Sequence, residues 1–327
     1  MNVKFGFFLS CGSLYPIGNL KMFKFAEKAG FDSVWTGDQL SGYPNVLEAW
    51  MIMATIAMRT DRVKIAIGVT DPYRRHPAVL AHMATTLDVL SKGRFILGIG
   101  TGAREVLEPY GISLDHPVER MRESIDVIIK LWTEKNANYN GNFFKLRSAH
   151  LGPKPIQKPH PPIWVAGNHP LSMKLTARIA DGWLPQIHSP ETYREDLKKI
   201  DGWAEGVGRR KEEIEHGLAL NVAVADDHEA AVKAAEECRR TLIWDRDKVK
   251  RFGFEMPETV KNAEELPFDL VEKCTVLGSP EECIEGIQRY IDSGVEHIVV
   301  YPAGSRRERK RTLRLFGKKI LPYFKKL

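Results

Sequence analysis

Long apolar runs are missing from this 327-residue chain; no stretch approaches the ~20 residues that a membrane-spanning helix needs. Cysteine is scarce as well. Cys11, Cys238, Cys274 and Cys283 form no Cys-x-x-Cys pair and have no histidines at zinc-finger spacing. That pattern argues against a disulfide framework or a metal site and fits a reducing cytoplasm. The opening MNVKFGFFLSCG lacks a small-x-small cleavage site, so no signal peptide is expected. Glutamine occurs only at Gln39, Gln157, Gln186 and Gln288, while Glu, Lys and Arg abound, a composition that points to a thermophile.

Negative charge is in deficit: the formal net charge is +6 and the pI about 9.0. Such a balance favours an anionic partner. Nucleic acid would call for basic patches interleaved with aromatics or a recognisable reading motif, and neither is found. In the basic tail RRERKRTLRLFGKKILPYFKKL, Leu313, Phe316 and Ile320 recur at helical spacing. The tail therefore reads as a last helix with a solvated basic face and not as a membrane anchor. With 43% hydrophobic and 28% charged residues the chain reads as globular.

What is present is alternation. Strand-like segments at 3–9, 32–36, 63–68, 94–100, 162–166, 181–186, 216–225 and 296–302 are separated by helix-like ones. A second helix falls in VLEAWMIMATIAMRT, others near 76–90, over ERMRESIDVIIKLWT and at 170–180. The last lies near 306–320 and is expected to stop at Pro322. Eight nearly all-apolar strands alternating with helices predict an α/β fold, a closed (β/α)8 TIM barrel with insertions. One domain over 1–327 is expected, with excursions near 135–160 and 243–270. The first excursion contains Asn140-Gly141, which predicts a hairpin turn.

Active sites of such barrels lie at the carboxyl ends of the strands. The sequence after the fourth strand, GIGTG (98–102), does not match the GxGxxG dinucleotide fingerprint or a phosphate-loop motif. It serves either as a tight turn or as a close backbone approach to a phosphate or flat ring. The fifth strand ends at Gly167, and a helix opens near Pro170, a second place suited to an anion. Together these loops form one wall of a candidate cofactor pocket.

Several segments carry a resemblance over most of the chain. They are GFDSVWTGDQL, GVTDPYRRHPAVLAHMATTLDVLSKGRFILGIGTG, RMRESIDVIIKLW, PPIWVAG, ARIADGW and GSPEECIEGIQRYIDSGVEHIVVYP. The sequence resembles the bacterial-luciferase-like superfamily. Within it, the chain is similar to oxidoreductases that use the deazaflavin coenzyme F420, such as methylenetetrahydromethanopterin reductase. The resemblance implies a non-prolyl cis peptide after the third strand, at Gly68-Val69, in a bulge that presses on the cofactor's middle ring, with Thr70 beside it. It implies that Asp38 contacts the cofactor, and that the phosphate end lies near Thr101, Gly102 and Ala103 and near Gly167, Asn168 and His169. Arg74 and Arg75, taken as an exposed pair, suit the cofactor's anionic tail. A homodimer through helices near the second and third strands is also implied, and EAWMIMATIAM, apolar nearly all round, fits burial there.

The pattern departs from the family at three proton carriers. Gln39 stands where alcohol- and sugar-oxidising members have histidine, Ala103 where many have an acid, and Phe8 where the reductase has glutamate. Asp38 and Gln39 remain the catalytic candidates. Glu105, Glu108, His76, His169 and His188 are the other rim groups able to move a proton. The expected activity is hydride transfer between coenzyme F420 and a small organic substrate. The alternatives are an FMN-dependent luciferase-like monooxygenase and a non-catalytic cofactor-binding protein.

Overall fold

The computed structural model describes residues 3–9, 16–40, 46–243, 249–250, 252, 254–257, 260 and 262–325. Its strands are β1 (Lys4–Phe8), β2 (Ser33–Thr36), β3 (Lys64–Thr70), β4 (Phe95–Ile99), β5 (Ala137–Asn140), β6 (Lys145–Ala149), β7 (Ile163–Val165), β8 (Gly182–Trp183), β9 (Glu215–Val224), β10 (Thr275–Gly278) and β11 (His297–Pro302). Eight of them close a parallel barrel in the order β1-β2-β3-β4-β7-β8-β9-β11. β8 pairs with β9 (Gly182↔Glu215) and β11 with β1 (Val299↔Gly6) to shut the ring. The expected (β/α)8 architecture is the observed one, because strands buried on both faces need lumen side chains within and helices without.

The sixth barrel strand, expected over 181–186, is regular only at Gly182–Trp183, with an isolated bridge from Gln186 to Ala219. Pro185 lies between them and has no N–H for the ladder. β9 is ten residues long, so its far end is left bare on that side. β10 covers it, pairing Thr275 with Asn221 and Gly278 with Val224. This strand was not expected; it lies just beyond the 243–270 excursion.

The expected hairpin forms over residues 137–149, and its connection opens at Asn140-Gly141 and runs to Phe144. Gly141 N–H donates to the Phe144 carbonyl (3.0 Å), and the buried Glu123 carboxylate accepts from the backbone N–H groups of Asn142, Phe143 and Phe144. A Cβ on Gly141 would stand 2.2 Å from Glu123 Oε2, so glycine is required there for close approach. Pro322 does not end the last helix. The chain runs from Arg306–Leu315 through a π turn, Phe316–Ile320, into Leu321–Phe324. The wider turn tolerates the N–H that proline lacks. Leu313, Phe316 and Ile320 are buried as expected.

The lumen is packed by side chains from all eight barrel strands. Phe8, Trp35, Ala66, Ile96, Trp164, Leu184, Ala219 and Val299 form one cluster, separate from the larger core between strands and helices. The two indoles fit because their neighbours have no side chain. A Cβ on Gly182 or Gly217 would come within 2.4 Å of Trp164, and one on Gly6 within 2.7 Å of Trp35.

At the amino ends of the strands a polar chain threads this packing. Trp35 Nε1 donates to Ser33 Oγ (2.7 Å), Ser33 Oγ lies 2.8 Å from His297 Nε2, and His297 Nδ1 lies 2.9 Å from Glu215 Oε1. Lys4 also reaches Glu215, at 3.0 Å. Burial opposes the Glu215 charge, but the His297 hydrogen bond and charge and the Lys4 ammonium outweigh it, holding the carboxyl at about 2 against an ordinary 4.5. A carboxyl lowered on folding stabilises the fold above its unfolded value and loses that contribution as pH falls through its folded value. Roughly 3 kcal/mol is therefore expected to be present above about pH 4.5 and to vanish near pH 2. Urea unfolding across this range checks it: Glu215→Gln is expected to flatten the acid slope of stability, and an unchanged slope would refute it.

Candidate active site

At the carboxyl ends of the strands, alternation sends one residue of nearly every barrel strand into the mouth. Gly37 faces Phe8, at 3.3 Å for a Cβ, and Val69 and Tyr301 join the lumen cluster. Ala166 follows inward Trp164, Gln186 follows inward Leu184, and Asn221 follows inward Ala219. All six are half-buried, between the closed lumen below and the open rim. The mouth has two unlike sides. At the carboxyl ends of β2, β3, β4 and β7 stand Gly37, Gly68-Val69, Gly98, Gly100 and Ala166, none longer than valine. At those of β8, β9 and β11 stand Gln186, Asn221 and Tyr301.

The peptide Gly68-Val69 is cis, as the resemblance implied, and the register of β3 on β4 shifts between Ile67 and Thr70. The structure also explains the glycines of GIGTG. A Cβ on Gly98 would lie 2.3 Å from the Ile67 carbonyl oxygen and 3.0 Å from Val69 Cγ1, and one on Gly100 2.8 Å from Val69 Cγ2. These two make room for the β3 bulge. Gly102 differs, with φ +79°.

Asp38 lies in a buried knot. Its carboxylate accepts from Trp50 Nε1 (3.0 Å), Thr70 Oγ1 (2.8 Å), Arg74 Nη1 (2.9 Å) and Arg75 Nη1 (2.7 Å). Arg74 also binds Asp71 and the Asp38 carbonyl, and Arg75 reaches Glu48. Arg74 and Arg75 are thus not the exposed pair expected: their side chains are 5% and 18% accessible. Desolvation works against the Asp38 charge, yet the two guanidinium groups and the Thr70 and Trp50 hydrogen bonds hold its carboxyl below the usual range. It is a fixed anion. Gln39, the next residue, is exposed.

The other rim groups divide clearly. His76 caps its helix through Nδ1, accepting from Ala78 N–H, and His169 does the same for Leu171. His188 is buried, with Nε2 3.1 Å from Asp196 and its carbonyl accepting from Tyr290 Oη, and it ties β8 to two helices. Glu108 is exposed and pairs with Arg104, and Glu105 is exposed. Ser10 and Cys11 lie outside the described residues. Among the described residues no three His, Cys, Asp or Glu side chains could share a metal ion.

Residues 68–70, 101–103 and 167–169 are brought together, since β3, β4 and β7 are sheet neighbours. Gly167 has φ +134° and leads into the helix Pro170–Ile179. Asn168 Nδ2 donates to the Gln186 carbonyl (2.8 Å), but its buried Oδ1 has no partner. Of the mouth residues, sequence reasoning passed over Asn221. Its signal was the one polar side chain in LALNVAV.

Architecture and mouth together define an enzyme scaffold with its reactive face at the strand ends. The chain belongs to the luciferase-like monooxygenase family, whose model matches residues 10–297. An F420-dependent glucose-6-phosphate dehydrogenase of Microbacterium testaceum is 30% identical over 340 residues, covering 99% of this chain and 98% of its own. A 5,10-methylenetetrahydromethanopterin reductase of Archaeoglobus fulgidus is 27% identical, covering 92% and 94%. The solved coenzyme F420-dependent tetrahydromethanopterin reductase of Methanopyrus kandleri superposes with a TM-score of 0.88 at 24% identity, covering 99% of this chain and all of that one.

Proposed function

We propose that this protein is a coenzyme F420-dependent oxidoreductase that transfers hydride between the deazaflavin and a small organic substrate. The observation that carries it is the side of the mouth without long side chains, at Gly37, Val69 and Ala166, beside the cis Gly68-Val69 bulge. The relatives named for F420 support the same reading. When bound, a deazaflavin passes hydride without activating oxygen. Around it, the bulge at Gly68, Val69 and Thr70 would support the ring, while Thr101, Gly102, Ala103, Gly167, Asn168 and His169 would hold the phosphate end. Asp38 would act by fixing the corner between β2 and β3. With Phe8, Gln39 and Ala103 in place of proton carriers, the substrate exchanges its proton with water, and positioning supplies the rate.

The chain reads further as a homodimer. Met51 and Met58 on the helix after β2 are 72% and 68% accessible, and Val79 on the next helix is 49% accessible. A second copy would cover this apolar face. Among the described residues Cys238, Cys274 and Cys283 are buried and form no disulfide, which supports the reading of a reducing cytoplasm.

Titration with F420 and with FMN, followed by quenching of tryptophan fluorescence, tests the cofactor. Micromolar F420 binding with FMN at least about tenfold weaker, a gap of about 1.4 kcal/mol, is expected. Tight FMN binding with none of F420 would overturn the reading.

A further inference from the structure

Resting on the cofactor reading above, we propose that Gln186 and Asn221, with the Tyr301 phenol, form the substrate-recognising side of the mouth and select a neutral amide- or carbonyl-bearing compound over a phosphorylated or carboxylated one. Three strands place these residues side by side. Gln186 bridges to Ala219, one inward step below Asn221, and Asn221 is the register partner of Tyr301. Partners in a parallel ladder point to the same face, here the lumen, so the three side chains line one arc.

The arc is polar but carries no charge. Each amide offers two donors and an acceptor. Neither side-chain amide is hydrogen-bonded to any described residue, and both are half-buried, so their donors and acceptors stay open to water or to a ligand at the mouth. The Tyr301 hydroxyl donates to the Gly68 carbonyl only at 3.5 Å, so it too has capacity to re-aim. Burial pushes the phenol far above its ordinary range, which keeps it a neutral donor. Its ring stacks on Phe8, with centroids 3.7 Å apart, and the pair walls off the β1 side. An anion would find no cation in this arc and would lose its hydration; a neutral carbonyl or amide would exchange water for matched hydrogen bonds. A flat ring over the small-residue side leaves this side for the substrate.

The probes are 2-pyrrolidone, butyrate and inorganic phosphate, measured by saturation-transfer NMR on the F420-loaded protein and on the protein alone. Pyrrolidone is expected to bind the loaded protein at least about tenfold more tightly than either anion. Gln186→Leu and Asn221→Leu are each expected to weaken it about tenfold, the loss of one amide hydrogen bond, with F420 affinity within about twofold of wild type. Asn221→Ser, which keeps a hydroxyl and adds no bulk, is expected to fall between and guards against misfolding of the leucine variants. Anions bound as tightly as pyrrolidone, pyrrolidone binding indifferent to all three variants, or an F420 affinity that falls instead of pyrrolidone affinity each overturns the proposal. If F420 does not bind wild type while pyrrolidone binding still depends on Asn221, the cofactor reading falls and the recognising arc stands.

Discussion

Arg74→Met is expected to lower the unfolding free energy by about 3–5 kcal/mol, the cost of leaving a buried carboxylate without its partner. Asp38 is 4% and Asp71 5% accessible, and both lean on this one guanidinium. Arg75 remains near Asp38, but no other arginine is bonded to Asp71 among the described residues. The Asp38 backbone carbonyl loses its Arg74 donor as well. The double variant Asp71→Asn with Arg74→Met is expected to recover more than about 1 kcal/mol over additivity, because it removes the carboxylate left without a guanidinium together with its partner. Urea denaturation of the single and double variants measures both quantities. A single-variant loss under about 1 kcal/mol would show that the corner does not depend on this pair.

The glycines of the β4 end supply the second large effect, and it has an internal control. Gly98→Ala and Gly100→Ala each insert a methyl into filled space, which is expected to cost about 1–3 kcal/mol, and to weaken F420 binding about tenfold or more by shifting the bulge. They differ in what they strike. The new Cβ at residue 100 meets the Val69 side chain, so adding Val69→Ala is expected to restore most of the stability. At residue 98 it meets the Ile67 carbonyl at 2.3 Å, backbone that no side-chain change removes, and Val69→Ala is expected to leave the defect in place. Equal rescue at both positions would contradict this account of GIGTG. Thermal melts and F420 titration read the two outcomes.

These cases mark where sequence reasoning reached and where it stopped. The rim loops and the buried stripe of Leu313, Phe316 and Ile320 were legible, because each follows from residues near one another in the chain; the bulge position came from the family resemblance. Arg74 and Arg75 looked like a solvated pair because their partners, Asp38 and Glu48, sit on the loop after a different strand. Gly98 and Gly100 could be read only as a tight turn or a close backbone approach, because the residues they make room for, Ile67 and Val69, belong to β3. Gly141 was read as a turn residue and is one, but the approach of Glu123 from a preceding helix could not be read. β10 went unread for a plainer reason: four residues are too few to show a period, and its purpose is to cover an edge of β9 that a proline left bare.

By itself the sequence determined the alternation of eight barrel strands with helices, and so which loops gather at the reactive end. Apolar periodicity and short right-handed connections leave one economical way to close such a chain. Only the tertiary structure decided which side chains face one another there: the knot around Asp38, the seat of Val69 against two glycines, and the arc of Gln186, Asn221 and Tyr301. Those pairings depend on register between strands far apart in the chain, and a one-residue slip in register would turn each of them to the opposite face.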